Sequence, residues 1–182
     1  MKTCIKSPVK GRILNLFGSL LLLGLFAVLA CGTQQGMRGN SPDDFEELQN
    51  LVDSGEFEIE NQWVLPLNGS MIDLVGNSNF IRFKGDSIDL FLPYFGVRHY
   101  GGDYGGREGG IQYKGPIKEL EISQDIEKER IIAEFEADQG TENYKFRIIL
   151  FSNGNTNTNV NSSERNSISY RGTVRSLPKE KK

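Results

Sequence analysis

Residues 131–150 read IIAEFEADQGTENYKFRIIL, and this stretch decides the fold class. Ile131, Ala133, Phe135 and Ala137 alternate with Glu134 and Glu136, and Tyr144, Phe146, Ile148 and Leu150 alternate with Lys145 and Arg147. A period of two is the mark of a strand with one face in a core and one in water. Gln139-Gly140 lies between the two runs, so they fold back on each other as antiparallel neighbours.

The same period extends outward from this pair. Phe57, Ile59 and Trp63 share one face of a strand, and Ile88, Leu90 and Leu92 share a face of another. Near the C-terminus Ile168, Tyr170 and Val174 alternate with Ser169, Arg171 and Thr173. Turn residues punctuate the runs at Asn68-Gly69, Gly76-Asn77, Lys84-Gly85-Asp86, Gly115-Pro116 and Asn153-Gly154. No alternation of strands with helices occurs, which argues against a parallel sheet. The expectation is a mainly β domain, an antiparallel meander of about 8–10 strands closing as a small barrel or a two-sheet sandwich. Trp63, Phe135, Phe146 and Tyr170 should be buried in it.

One short amphipathic helix precedes the strands. Ser41 is placed to cap it, Pro42 to occupy its first position and Asp44 to act as the capping-box acid. Phe45, Leu48 and Val52 recur at helical spacing, Leu51 widens the stripe, and Gly55 ends the helix in the left-handed region. Such a helix is expected to lie over the end or face of a sheet.

The N-terminus reads as an export signal. Lys2, Lys6, Lys10 and Arg12 precede an apolar run from Leu16 to Ala30, which is short for a membrane span. Val28-Leu29-Ala30-Cys31 then resembles the lipobox of bacterial lipoproteins. That resemblance implies cleavage before Cys31 and acylation of its thiol and amine. Each buried methylene contributes about 0.8 kcal/mol, so several acyl chains hold a protein on a bilayer durably. The division is therefore residues 1–30 as signal peptide, 31–40 as lipidated cysteine and flexible tether, 41–175 as a single β-rich domain and 176–182 as a basic tail. Cys4 leaves with the signal, and no thiol remains for a disulfide or a thiolate metal site. The mature chain holds 17 basic residues against 24 acidic ones, net −7, which gives no electrostatic footprint for nucleic acid.

Two segments depart from the strand pattern. Gly96 to Gly115 holds eight glycines and reads as a loop, while Asn153 to Asn166 holds six asparagines and reads as a hairpin with polar exposed positions. The Gly-rich loop carries His99, and its candidate ligand-binding residues are Tyr94, Tyr100, Asp103, Tyr104, Arg107 and Glu108. Aromatic rings on such a loop can stack on sugars or pack apolar ligands. Phe95 is expected instead to plug the barrel end. Catalysis would need His99, Asp103 and Glu108 to converge at fixed geometry. His99 has no second histidine at ligand spacing, and no phosphate-binding Gly motif opens a helix. No cofactor, metal or catalytic residue is therefore assigned.

Several pieces together resemble the domain of unknown function 4251 family, uncharacterised envelope lipoproteins of Bacteroidota. They are Ser54-Gly55-Glu56-Phe57, Lys84-Gly85-Asp86-Ser87-Ile88, Leu92-Pro93-Tyr94-Phe95-Gly96, Gly109-Gly110-Ile111, Asn153-Gly154 and Ile168-Ser169-Tyr170-Arg171-Gly172. The resemblance spans Ser54 to Gly172 and implies a fold and a compartment but no chemistry. No acidic run of the surface-export kind follows Cys31, so the expected location is the periplasmic face of the outer membrane. Three function classes fit. The first is a non-catalytic module that binds a small ligand or glycan, the second is an interaction partner in an envelope assembly, and the third and weakest is a hydrolase. An internal barrel cavity would favour the first, and a closed core with an apolar outer patch the second.

Overall fold

The computed structural model describes residues 42–99 and 110–178. Among these residues helix α1 (Phe45–Asp53) comes first, followed by ten strands: β1 (Glu56–Pro66), β2 (Ile72–Asp73), β3 (Phe80–Lys84), β4 (Ser87–Pro93), β5 (Gly110–Pro116), β6 (Lys118–Asp125), β7 (Arg130–Gln139), β8 (Glu142–Phe151), β9 (Asn155–Ser162) and β10 (Ile168–Ser176). All pair antiparallel in a single sheet of order β5-β4-β3-β1-β10-β9-β8-β7-β6, with β2 added beside β1. The outermost strands β5 and β6 are consecutive halves of one extended run, separated by Ile117 alone. The first half pairs with β4 and the second with β7, so the sheet curls into a nearly closed barrel and not a two-layer sandwich.

The register of β7 with β8 sets Phe135 opposite Phe146 and Ala137 opposite Tyr144, and all four are buried. The interior also takes Phe57 and Ile59 from β1, Ile81 and Phe83 from β3, Ile88, Leu90 and Leu92 from β4, and Tyr170 and Val174 from β10. These side chains belong to one core cluster that occupies the inside of the barrel.

Trp63 corrects the expectation for β1, being 37% exposed on the outer face. A β-bulge lies between Asn61 and Trp63, where Asn61 pairs with Gly172 but Trp63 pairs with Arg171. The extra residue reverses the inside–outside phase, so Val64 enters the core in place of Trp63. Gly172 accommodates the bulge: a Cβ there would run into the Glu60 carbonyl and the Asn61 Cα. The bulge is also tied to the β2–β3 connection, because the Asn61 N–H donates to Asn79 Oδ1 (2.8 Å) and Asn79 Nδ2 donates back to the Asn61 carbonyl (3.0 Å).

Helix α1 begins later than expected. Asp44 is the N-cap, accepting from the Glu47 N–H at 2.8 Å, while the Glu47 carboxylate accepts from the Asp43 N–H at 2.9 Å. The reciprocal cap is therefore built on Asp44 and Glu47, and Pro42 stands outside the helix as a buried residue. Ser41 lies outside the described residues. Gly55 turns the chain with φ +67°, as its position after the helix suggests. Leu48 and Val52 point into the core cluster. The Gly55 carbonyl accepts from the Gly85 N–H at 2.9 Å, and Gln49 donates to Gln124 at 2.7 Å. The helix thus covers the barrel end that carries the β3–β4 turn.

Two low-complexity readings also change. Gly110 to Pro116 is strand and not loop, because it completes the edge of β4 and places Ile111 in the core. Asn155 to Ser162 is a single strand, with Thr156, Thr158 and Val160 pointing in and the asparagines pointing out.

Candidate functional site

At the barrel end away from α1, the start of the Gly-rich loop is laid against the β9–β10 connection. Arg98 forms an antiparallel bridge with Arg165, the His99 N–H donates to the Glu164 carbonyl (2.7 Å), and the Asn166 N–H donates to the Val97 carbonyl (3.0 Å). Glu142, only 3% exposed, anchors this junction from the first position of β8. Arg165 grips its carboxylate with two bonds, Nε to Oε1 at 2.7 Å and Nη2 to Oε2 at 3.1 Å. Ser162 Oγ donates to the same carboxylate. Arg98 donates to Glu164 at 2.9 Å and to Glu142 at 3.3 Å, and Thr141 Oγ1 also donates to Glu164.

Burial opposes ionisation of Glu142, but the bonds from Arg165 and Ser162 outweigh it and hold the carboxyl below its usual range. The Arg98 and Thr141 bonds lower Glu164 likewise. Carboxyls held ionised in this way suit a clamp and not a general acid, which needs a raised pKa.

Of the candidate loop residues, Tyr94 faces this clamp. Its hydroxyl donates to the Val97 carbonyl (2.9 Å) and the Asn166 carbonyl (3.0 Å), and the Arg165 guanidinium lies 5.1 Å from its ring centroid. The ring thus ties the loop start down. Phe95 does not plug the barrel. It is 46% exposed, since Tyr94 takes the inward position and the next residue points away. His99 Nε2 lies 2.6 Å from Asn166 Oδ1 in an exposed setting. Tyr100, Asp103, Tyr104, Arg107 and Glu108 lie outside the described residues.

A second feature was not anticipated from the sequence. The outer face of β1, β10, β9 and β8 carries two adjoining concavities of about 580 and 480 Å³, which share Asn157 and Arg171. Strand register explains the lining. Trp63 stands opposite Arg171, Arg171 opposite Asn157 and Asn157 opposite Ile149. The next row runs Leu65, Ser169, Asn159 and Arg147. Gln62 is steadied by Thr173 Oγ1 at 3.1 Å, and Asn159 by Ser169 Oγ at 3.0 Å. Arg147 is paired with Glu134 at 2.6 Å. Asn157 and Arg171 make no side-chain hydrogen bond or ion pair with the described residues. The usable signal was the strict Asn-x-Asn-x-Asn spacing of 155, 157 and 159, which a strand displays as a row of amides on one face.

Comparison with known proteins fits this architecture. Residues 40–174 match the sequence model of DUF4251, a domain of unknown function. The chain belongs to the DUF4251 family. A crystal structure of a DUF4251 family protein from Bacteroides eggerthii superposes with a TM-score of 0.58 at 17% identity, covering 75% of this chain and 89% of that one. At that identity the likeness carries the fold alone. No curated protein matches. The DUF4251 barrel is thus a shared scaffold, and its chemistry must be argued from the side chains that this member displays.

Proposed function

We propose that this DUF4251 protein is a lipid-anchored envelope protein whose barrel is a non-catalytic glycan-binding module. One observation carries the binding reading. A continuous groove on a rigid sheet combines an exposed indole with a row of side-chain amides, and Trp63 is turned toward it by a bulge. Sugars present apolar C–H faces and rims of hydroxyls, and an indole beside amide donors and acceptors complements both. Among the described residues the barrel interior holds a cluster of buried core side chains, and this reading gives the ligand the outer groove. The Gly-rich loop remains a second contributor through Tyr100, Asp103, Tyr104, Arg107 and Glu108.

The test follows from exposure. Trp63→Ala is expected to weaken oligosaccharide binding at least about tenfold. Since Trp63 is outside the core, the unfolding free energy should change by less than about 1 kcal/mol. Unchanged binding together with a large stability loss would assign the indole to structure and remove the groove from consideration.

Anchoring rests on Val28-Leu29-Ala30-Cys31 after an apolar run. Cys31→Ala is expected to move the protein from the membrane to the soluble fraction and to abolish palmitate labelling. Labelling that persisted in the variant would exclude Cys31 as the acylated residue. In this reading the protein sits on the periplasmic face of the outer membrane, because no acidic run of the surface-export kind follows Cys31.

A second reading, an interaction partner in an envelope assembly, is supported by the combination expected for it, a packed core together with an apolar outer patch. Leu67, Phe95 and Val97 are exposed and line one open concavity of about 440 Å³ at the barrel end away from α1. Exposed apolar side chains gathered in this way mark contact surfaces. Co-purification of one stoichiometric partner, lost on Phe95→Ser and kept on Trp63→Ala, would favour it.

A further inference from the structure

We infer that the groove selects an acidic glycan, with the Arg171 guanidinium reading a sugar carboxylate beside the Trp63 ring. This rests on the glycan-binding reading above and names the class of sugar.

The argument is one of charge. The lining of the two concavities contains two arginines and no acid, in a mature chain with an excess of acidic residues. Arg147 is neutralised by Glu134 across the β7–β8 pair. Arg171 is exposed and has no acidic partner among the described residues, its cross-strand neighbours being Trp63 on one side and Asn157 on the other. Elsewhere on the same outer face, an arginine facing the sheet is paired. Arg175 and Arg82 both bond Glu58, and Arg130 bonds Asp125 at 2.9 Å. Among the described residues, Arg171 is therefore the groove cation left to be matched by a ligand.

Geometry agrees. Residues directly opposite on neighbouring antiparallel strands hold their Cβ atoms about 4.5–5.5 Å apart. A sugar ring stacked on Trp63 would bring a ring carboxylate within reach of Arg171, and the planar fork of a guanidinium donates two parallel hydrogen bonds to a carboxylate. The row from Trp63 through Arg171 and Asn157 to Ile149 crosses four strands, about 14 Å, long enough for a short oligosaccharide. Asn157, also uncommitted, is positioned to bond the hydroxyls of the next ring.

The chain has a single tryptophan, so its fluorescence reports on this groove directly. The mature lipoprotein in detergent is titrated with three uronate oligosaccharides, derived from galacturonan, alginate and chondroitin, and with the carboxyl methyl ester of each. The expected result is a saturable change in Trp63 emission with at least one acid form and at least about tenfold weaker binding of its ester. Arg171→Gln should abolish that discrimination by weakening only the acid form, while Lys114→Gln, on another part of the barrel, should leave it intact. Equal binding of acid and ester, or discrimination that survives Arg171→Gln, would overturn the inference and leave the glycan-binding reading standing. No saturable response to any acid or ester would overturn both.

Discussion

Phe135→Ala is expected to lower the unfolding free energy by about 3–5 kcal/mol. Phe135 is 2% exposed and stacks on Phe146, with ring centroids 4.7 Å apart and planes 8° from parallel. It also meets Phe83 edge-on at 5.7 Å, and Phe83 stacks in turn on Phe57 at 4.4 Å. Four rings therefore cross the interior from β7 and β8 to β3 and β1, joining parts of the sheet that do not pair by hydrogen bonds. Truncation removes both the transfer term and the ring contacts, and leaves a cavity that a curled sheet collapses into poorly. Urea unfolding with an unchanged slope is the measurement. A loss below about 1 kcal/mol would mean that the site repacks and the ring chain does not hold the barrel. Phe135→Leu, which keeps most of the volume, should lose clearly less.

Phe135 was legible in the sequence because its neighbours at 131, 133 and 137 share its period and no irregularity interrupts β7. Trp63 departs from its expected face for the opposite reason. The period of two holds on either side of Gln62 but not through it, and a bulge leaves no mark in composition. Only the partner strand reveals it, through a glycine at 172 that admits the approach of the Asn61 backbone. The Asn-rich segment shows a related limit. Asparagine is common in turns, which suggests a hairpin, yet the Asn-Thr alternation of 155–159 has the same period as Ile131 to Ala137. Tertiary pairing with β8 and β10 overrides the local preference.

The site was less legible than the fold, because its residues meet across strands far apart in sequence. Trp63 and Arg171 are brought together by the pairing of β1 with β10, and Asn157 joins them from β9. The Glu58 triad arises the same way. Arg82 and Arg175 flank Glu58 from the two strands beside β1, covering the carboxylate until it is 1% exposed although it points outward. No local motif announces such a group. The Gly-rich loop, by contrast, is conspicuous in composition, but its described beginning is committed to structure through Tyr94 and the clamp.

Removing the centre of that clamp is the second large effect. Glu142→Ala is expected to cost about 3–5 kcal/mol, because it strands Arg165, whose side chain is nearly as buried as the carboxylate it pairs with. Arg98 and Ser162 lose a common partner at the same time. A double replacement, Glu142→Leu with Arg165→Leu, should lose less than Glu142→Ala alone, since no buried charge is left uncompensated. A Glu142→Ala loss below about 1 kcal/mol would show that water reaches Arg165 and that the clamp is peripheral. The pH dependence has a fixed sign. Glu142, Glu164 and Glu58 are all held below the ordinary carboxyl value of 4.5, so their contribution is fully present above that pH. It is lost as pH falls below 4.5 and through the depressed native values, because the unfolded chain takes up protons first. In Glu142→Gln the fall in unfolding free energy over this acid range should be shallower than in the parent. An equally steep fall would assign the acid sensitivity to the remaining depressed carboxyls, Glu58 and Glu164 among them.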